Sequence, residues 1–279
     1  MALIHRRDEV APAHGEVIRI DVRRPAAAEP RSAVLVAHGF KGFKDWGFFP
    51  YLCERLAEDG HLVVSFNGSR NGVGANLMDF TDLEAFGRNT FSHEVGDVHH
   101  MVDLLAAGEW SGGRRPEAVG VLGHSRGGGT GIITVAERDD VSSLVTWAAI
   151  STFQRWTREQ REEWKRQGVV YIANARTGQE MPLYRMVLDD LEANSRRFDI
   201  VAAAGRVNVP WLIVHGAEDA TVSLVEAREL VRAGPRARLE PVEGSGHTFE
   251  AVHHFEGSTP GLDRAVRATL HHFRSTLGP

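Results

Sequence analysis

The sequence predicts an α/β fold with a doubly wound, mostly parallel sheet and a small lid-like insertion. Three observations lead there. Short apolar runs alternate with amphipathic helical stretches along most of the chain, the pattern of βαβ units. One of these runs, Val119-Gly-Val-Leu-Gly-His-Ser-Arg-Gly-Gly128, passes from a buried strand through a glycine-flanked turn into a helix. Residues 151 to about 205 break the alternation, which then resumes at a new apolar run beginning at Val209.

The elements follow in order. Glu16 to Val22 alternates like a half-exposed strand, and Ala33 to Ala37 is a buried-type strand. Pro50 to Asp59 reads as a helix, with proline at a favoured first-turn position and Gly60 as its stop. His61 to Phe66 is the next strand. Ser92 to Ala107 is a helix because Val95, Val98, Val102 and Leu105 share one face. Ala118 to Leu122 forms a short apolar strand, and the helix after Ser125 runs on through Thr130 to Ala136. Val141 to Ala148 and Val209 to Val214 are two more buried-type strands.

Between those two strands, Gln154 to Gln167 is highly charged, with Trp156 and Trp164 spaced to share a helical face. Val169 to Tyr184 is expected to form a hairpin around Ala175-Arg-Thr-Gly178. The 151–205 block therefore reads as an insertion over the sheet edge of one 279-residue domain. Beyond it, Ser223 to Ala233 is a helix with a predicted Ser223–Glu226 capping box and a Gly234-Pro235 stop. Arg238 to Val242 is a last strand. Thr259-Pro260 starts a C-terminal helix with Leu262, Val266, Leu270 and Phe273 inward.

Composition bounds the function. A chain of 279 residues, 42% hydrophobic and 25% charged, suits one large domain with a buried core. The net charge of -5 gives no footing for nucleic acid or anionic membrane surfaces. The single cysteine, Cys53, excludes an intrachain disulfide and is expected to be a buried structural thiol. Met1-Ala-Leu-Ile4 runs directly into His5-Arg-Arg-Asp-Glu9 without an apolar signal-peptide core, and no apolar run of 18 residues occurs. A cytoplasmic location is the expectation. A homodimer is compatible with the sequence.

The glycine-flanked turn carries Gly123-x-Ser125-x-Gly127. A serine there sits on a sharp strand-to-helix turn with its hydroxyl exposed at the carboxyl edge of a sheet, where ligands bind in this architecture. A serine hydroxyl needs a neighbouring base, and the base needs an orienting group. This topology places them in the order serine, acid, histidine. Trp211-Leu-Ile-Val-His-Gly-Ala-Glu-Asp219 is a strand running into an acidic loop, which nominates Asp219, with Glu218 as its rival. Gly244-Ser-Gly-His247 places His247 in a glycine loop after the last strand and nominates it as the base.

Acyl transfer also needs donors for a developing oxyanion. The backbone N–H of Arg126 follows the nucleophile. The second donor is expected from His38-Gly-Phe-Lys-Gly42, at Phe40 with Lys41 as the alternative. His38 and His215 read as structural histidines. The pairs His99-His100, His253-His254 and His271-His272 do not offer two ligands from one helix face, so no metal is expected, and no cofactor. Asn67-Gly-Ser-Arg-Asn-Gly-Val-Gly74 lacks a phosphate-cradle pattern and reads as a loop flanking the pocket.

In these residues the chain resembles the α/β-hydrolase superfamily. The His38-Gly39 turn, the Gly123-His-Ser-Arg-Gly127 elbow, the His215-Gly-Ala-Glu-Asp219 loop and Gly246-His247 match it in order and spacing over roughly residues 33 to 249. The likeness is strongest to esterase, serine-peptidase-like and dienelactone-hydrolase-like branches. Ser125 stands where dienelactone hydrolases proper carry cysteine and the dehalogenases of this fold carry aspartate. The resemblance implies a serine hydrolase acting on a small-molecule ester through Ser125, His247 and Asp219. An amide or small-peptide hydrolase with the same three residues is the alternative, with Glu159, Glu162 or Glu180 available for a substrate amine. A non-catalytic binding protein on the same scaffold is a third reading. Lys41, Trp156, Trp164, Tyr171 and Phe153 are expected near the substrate, although the insertion's aromatics could equally serve to pack it down.

Overall fold

The computed structural model describes residues 2–11, 17–27 and 29–278. Met1 and Glu16, which belong to two of the N-terminal expectations, lie outside the described residues. The chain begins with a hairpin of β1 (Leu3–Val10) and β2 (Ile18–Pro25), followed by β3 (Ser32–Ala37), α1 (Phe49–Glu58) and β4 (Leu62–Asn67). Next come α2 (Leu83–Gly87), α3 (Phe91–Ala107), β5 (Ala118–His124), α4 (Arg126–Ala136) and β6 (Ser143–Trp147). Residues 151–205 carry α5 (Arg158–Gln167), β7 (Val169–Ala173), β8 (Glu180–Tyr184), α6 (Arg185–Ala193) and α7 (Ile200–Ala204). The chain closes with β9 (Trp211–Gly216), α8 (Leu224–Ala233), β10 (Ala237–Val242) and α9 (Pro260–Leu277).

Eight strands form one sheet in the order β1-β2-β4-β3-β5-β6-β9-β10. The two pairings of β2 are antiparallel and the remaining five are parallel. The parallel strands are apolar on both faces because helices cover both. Alternation along each strand assigns the faces. Val34, Val36, Leu122, Val145 and Leu212 pack with the apolar sides of α1 and α9. Ala33, Leu35, Val121, Leu144 and Ile213 pack with α3, α4 and α8. Cys53 is fully buried in the α1 layer.

Strand β1 is absent from the expectations for a physical reason. Its sequence, Leu-Ile-His-Arg-Arg-Asp-Glu-Val, is charged and largely exposed, as suits an edge strand that must not recruit another chain. Only its pairing from Leu3↔Pro25 to Val10↔Ile18 defines it. The helix containing Trp164 starts later than its periodicity suggests. Thr157 caps it in a reciprocal box with Gln160, so Trp156 precedes the helix and meets Trp164 edge-on at 4.9 Å between ring centres. The Ser223–Glu226 box does not form. Ser223 caps through Val225 N–H, while Glu226 accepts from Ser151 and Arg155 across the chain.

Residues 169–184 form the expected hairpin. β7 and β8 pair antiparallel from Val169↔Tyr184 to Ala173↔Glu180. The turn is closed by Gly178 N–H on Asn174 O, at 2.8 Å. β6 and β9 are parallel neighbours, so the 151–205 segment leaves at the carboxyl end of β6, the edge at which Ser125 lies, and the chain then crosses to the opposite edge to begin β9.

Candidate active site

Ser125 stands between the carboxyl end of β5 and the start of α4, at φ 56° and ψ −118°. That conformation costs a non-glycine residue about 1–3 kcal/mol and persists only where its surroundings hold it. Ser125 N–H donates to Trp147 O at 2.8 Å, and Ser125 O accepts from Gly128 N–H at 3.0 Å. The flanking glycines are sterically required. A Cβ at Gly123 would meet Gly127 O at 2.2 Å, and one at Gly127 would meet His38 O at 2.4 Å and Ala37 O at 2.7 Å. The turn therefore packs backbone against backbone with the loop after β3.

The same loop carries the expected oxyanion donor. A Cβ at Gly39 would come within 2.9 Å of Ser125 Cβ, so Gly39-Phe40 runs directly past the serine. Arg126 opens α4, and its N–H is one of the first-turn donors for which a helix supplies no acceptor. His38 Nδ1–H donates to Gly39 O at 2.9 Å and holds the loop, and burial pushes this histidine down to about 4.

Asp219 follows β9 and is buried. Its Oδ2 lies 2.7 Å from His247 Nδ1. Its Oδ1 accepts from the N–H groups of Thr221 at 2.8 Å and Val222 at 2.9 Å. Burial alone would raise this carboxyl. The His247 hydrogen bond and charge, with the two backbone donors, outweigh it and hold the group below the usual aspartate range. Asp219 is thus an anion, and His247 carries its proton on Nδ1, which leaves Nε2 as the basic nitrogen. The rival Glu218 is exposed. His215 Nε2–H donates to Val222 O at 2.8 Å and supports the acid loop.

His247 is positioned by contacts that no sequence pattern announces. A Cβ on Gly216 would meet Gly246 O and Ser245 O, each at 2.4 Å, so the end of β9 locks onto the histidine loop. Glu250 ties that loop together, accepting from Gly246 N–H at 2.7 Å and Ser245 Oγ–H at 2.8 Å. His124, the residue before the serine, donates from Nε2 to His247 O at 3.0 Å. Burial, then the charge of His247, pushes His124 down to about 3, so it stays neutral and can serve as that donor.

Ser125 and His247 line one cleft of about 220 Å³ with Phe40, Lys41, Trp46 and Phe49. The hairpin turn of the insertion contributes Asn174, Ala175 and Arg176 to its wall. Lys41 lines this cleft. Trp164 does not. It is fully buried, with its indole N–H donated to Leu183 O at 2.9 Å, and it holds the insertion together. Trp156 packs against it, Phe153 is buried against Phe91 and Phe198, and Tyr171 is 61% exposed on the outer hairpin. None of these four lines the cleft. Glu159, Glu162 and Glu180 are exposed and also outside it. The 67–74 loop stands behind the site. Asn67 Oδ1 accepts from Lys44 N–H at 2.7 Å and Asn71 Nδ2–H donates to Gly42 O at 3.0 Å, bracing the loop past Phe40.

A second serine–histidine contact exists, Ser143 Oγ to His272 Nε2 at 3.0 Å. Ser143 begins β6, at the opposite edge of the sheet from Ser125, and both groups are buried in the core. Neither borders the cleft.

Strand order and structural likeness give this chain the α/β-hydrolase fold. Solved structures with the same fold include Est1E from Butyrivibrio proteoclasticus with ferulic acid bound, at TM-score 0.74 and 17% identity over 96% of this chain and 99% of that one. The esterase domain of a Rhodothermus marinus protein matches at TM-score 0.64 and 19% identity, covering all of both chains. A protein from Agrobacterium vitis S4 aligns at TM-score 0.72 and 19% identity over 98% of this chain and 99% of that one. Among curated proteins, the 2,6-dihydropseudooxynicotine hydrolase of Paenarthrobacter nicotinovorans is 26% identical over 206 residues. That alignment takes in 71% of this chain and 47% of the relative, so the chain spans about half the relative's length. No family model matches the chain.

Proposed function

We propose that this protein is a serine hydrolase that cleaves carboxylic esters, with Ser125 as nucleophile, His247 as general base and acid, and Asp219 as the orienting carboxylate. His247 Nε2 takes the Ser125 proton as Oγ attacks the ester carbonyl carbon. The carbonyl oxygen becomes an oxyanion facing the N–H groups of Phe40 and Arg126. The tetrahedral intermediate collapses as His247 passes its proton to the leaving alcohol. Water, deprotonated in turn by His247, releases the acid from the acyl-serine and restores Ser125. Residues 151–205 act as a cap on the single α/β domain and wall the cleft with the hairpin turn.

The observation that carries this reading is the 2.7 Å contact between His247 Nδ1 and Asp219 Oδ2, at the rim of the cleft that Ser125 lines. The strained backbone of Ser125 supports it, since such strain collects at functional sites. The esterase names of two fold neighbours favour esters over amides. The test is hydrolysis of p-nitrophenyl acetate beside aminoacyl nitroanilides, with fluorophosphonate labelling. Ester turnover should dominate, and Ser125→Ala should lose both turnover and labelling while keeping the native circular dichroism spectrum. Full activity in that variant refutes the assignment.

A further inference from the structure

The cleft is lined by two cations, Lys41 and Arg176, and by no carboxylate. The chain as a whole carries a net charge of -5, so the local excess is not inherited from composition.

Lys41 has no ion-pair partner among the described residues, and Arg176 has only a distant one. Lys41 is half-buried, and its Nζ donates to the backbone oxygen of Ala173 at 2.9 Å. An ammonium has three donors, and no ion pair among the described residues includes this one. Burial, then the charge of Arg126, pushes the Lys41 ammonium below the usual lysine range. Arg126 is itself paired, with Glu94 at 3.0 Å. Arg176 donates to Met78 O at 3.1 Å, and the carboxylate it pairs with, that of exposed Asp79, stands 3.9 Å away, beyond hydrogen-bonding reach. The turn that presents Arg176 is fixed by Asn174, whose Oδ1 accepts from Arg176 N–H at 3.2 Å.

A half-buried charge with no ion-pair partner, as at Lys41, is unfavourable unless something compensates it. An anion entering between a lysine and an arginine would do so, and the guanidinium fork matches a carboxylate in shape. The aromatic walls at Phe40, Trp46 and Phe49 accept the hydrocarbon part of the same molecule. We propose that the substrate is an ester that also bears a free carboxylate, bound by Lys41 and Arg176 while its ester carbonyl faces Ser125. This rests on the hydrolase reading above and adds the substrate class to it.

The test uses two matched pairs of esters. Mono-p-nitrophenyl glutarate against p-nitrophenyl butyrate places the carboxylate on the acyl side. 4-(Butyryloxy)benzoate against 4-(butyryloxy)benzamide places it on the alcohol side. In the native protein, at least one anionic member should exceed its neutral partner in kcat/KM by about 10-fold or more at low salt. The preference should shrink as salt is added. Arg176→Gln and Lys41→Gln should each cut that ratio about fivefold or more, with Arg176→Lys restoring part of it. Arg264→Gln, which removes an exposed cation paired with Glu240 far from the cleft, should leave the ratio unchanged. Turnover of neutral esters with no anionic preference on either side overturns this inference alone. So does a preference that both cleft variants retain in full. Failure of all four esters together with absent fluorophosphonate labelling overturns the hydrolase reading and this inference with it.

Discussion

The guanidinium of Arg126 lies 3.8 Å from the centre of the Phe40 ring. The two residues whose backbone N–H groups are assigned to the oxyanion are therefore also joined through their side chains. Glu94 completes the arrangement, holding Arg126 Nη1 at 3.0 Å and accepting from Asn89 Nδ2–H at 3.1 Å. Burial raises the Glu94 carboxyl against the opposing pull of Arg126. Stacking of this kind fixes the distance between the β3–α1 loop and the start of α4. Glu94→Gln should lower kcat for p-nitrophenyl acetate by about 10- to 100-fold with little change in KM, because it loosens donor geometry and leaves the substrate contacts in place. Steady-state kinetics separates this from simple destabilisation, which would lower the active fraction but not the kcat of titrated sites.

Asp219→Asn should cost about three to four orders of magnitude in kcat. An asparagine can offer its amide hydrogens to His247 Nδ1 and so favour the tautomer that leaves Nε2 protonated. Burst titration with a fluorophosphonate should show the same slowing. A variant within tenfold of the native rate removes Asp219 from the mechanism.

Two glycines one turn apart in α4 should respond to alanine with opposite signs. A Cβ at Gly127 meets the backbone oxygens of His38 and Ala37, neither of which can move without dragging the loop past Ser125. Gly127→Ala should destabilise by about 2–3 kcal/mol or more. A Cβ at Gly131 meets only Val121 Cγ1 at 3.5 Å and Leu144 Cδ1 at 3.9 Å, ordinary contacts. Gly131→Ala should stabilise by about 0.5–1 kcal/mol, the helix propensity gain. Urea denaturation of both variants measures the pair.

Stability should fall as pH drops from 6.5 toward 4, before most carboxylates are protonated. Burial holds His124 at about 3 and His272, with help from the nearby Arg238 charge, at about 4. Each has a folded value below its unfolded one near 6.5, so the unfolded chain binds more protons in this window and acid favours it. The slope per group is at most about 1.4 kcal/mol per pH unit. His272→Gln should make urea midpoints less dependent on pH between 6.5 and 5, whatever it does to their value at neutral pH. An unchanged slope would show that His272 titrates normally.

Trp164→Phe separates the insertion's core from its contribution to the cleft. The substitution removes the indole N–H that Leu183 O accepts at 2.9 Å and shrinks a fully buried side chain. A loss of about 1–3 kcal/mol is expected. The KM for p-nitrophenyl butyrate should stay within about twofold of native, since distant packing changes contribute little to such a contact. A large KM change with unaltered stability would return Trp164 to the substrate pocket.

The parallel strands were legible because each is a run of apolar residues that only a doubly covered sheet can bury. The serine turn was legible because glycines at 123 and 127 have a local steric cause. β1 was not, since an exposed edge strand carries charges instead of an apolar pattern. The role of Trp164 was open for a related reason. Spacing showed that it shares a face with other apolar groups but not whether that face meets a substrate or Leu183.

The sequence by itself determined the parallel strands and the main helices that cover them, the elbow around Ser125, and the acid and histidine loops at strand ends, because these depend on contacts within a few residues or on period. Tertiary structure alone decided that His247 meets Asp219 across 28 positions, that Glu94 backs Arg126, and that the hairpin turn brings Arg176 to the same cleft as Lys41. Those contacts join segments far apart in the chain. Their geometry follows from how the helices and the hairpin pack on the sheet, which no local pattern encodes.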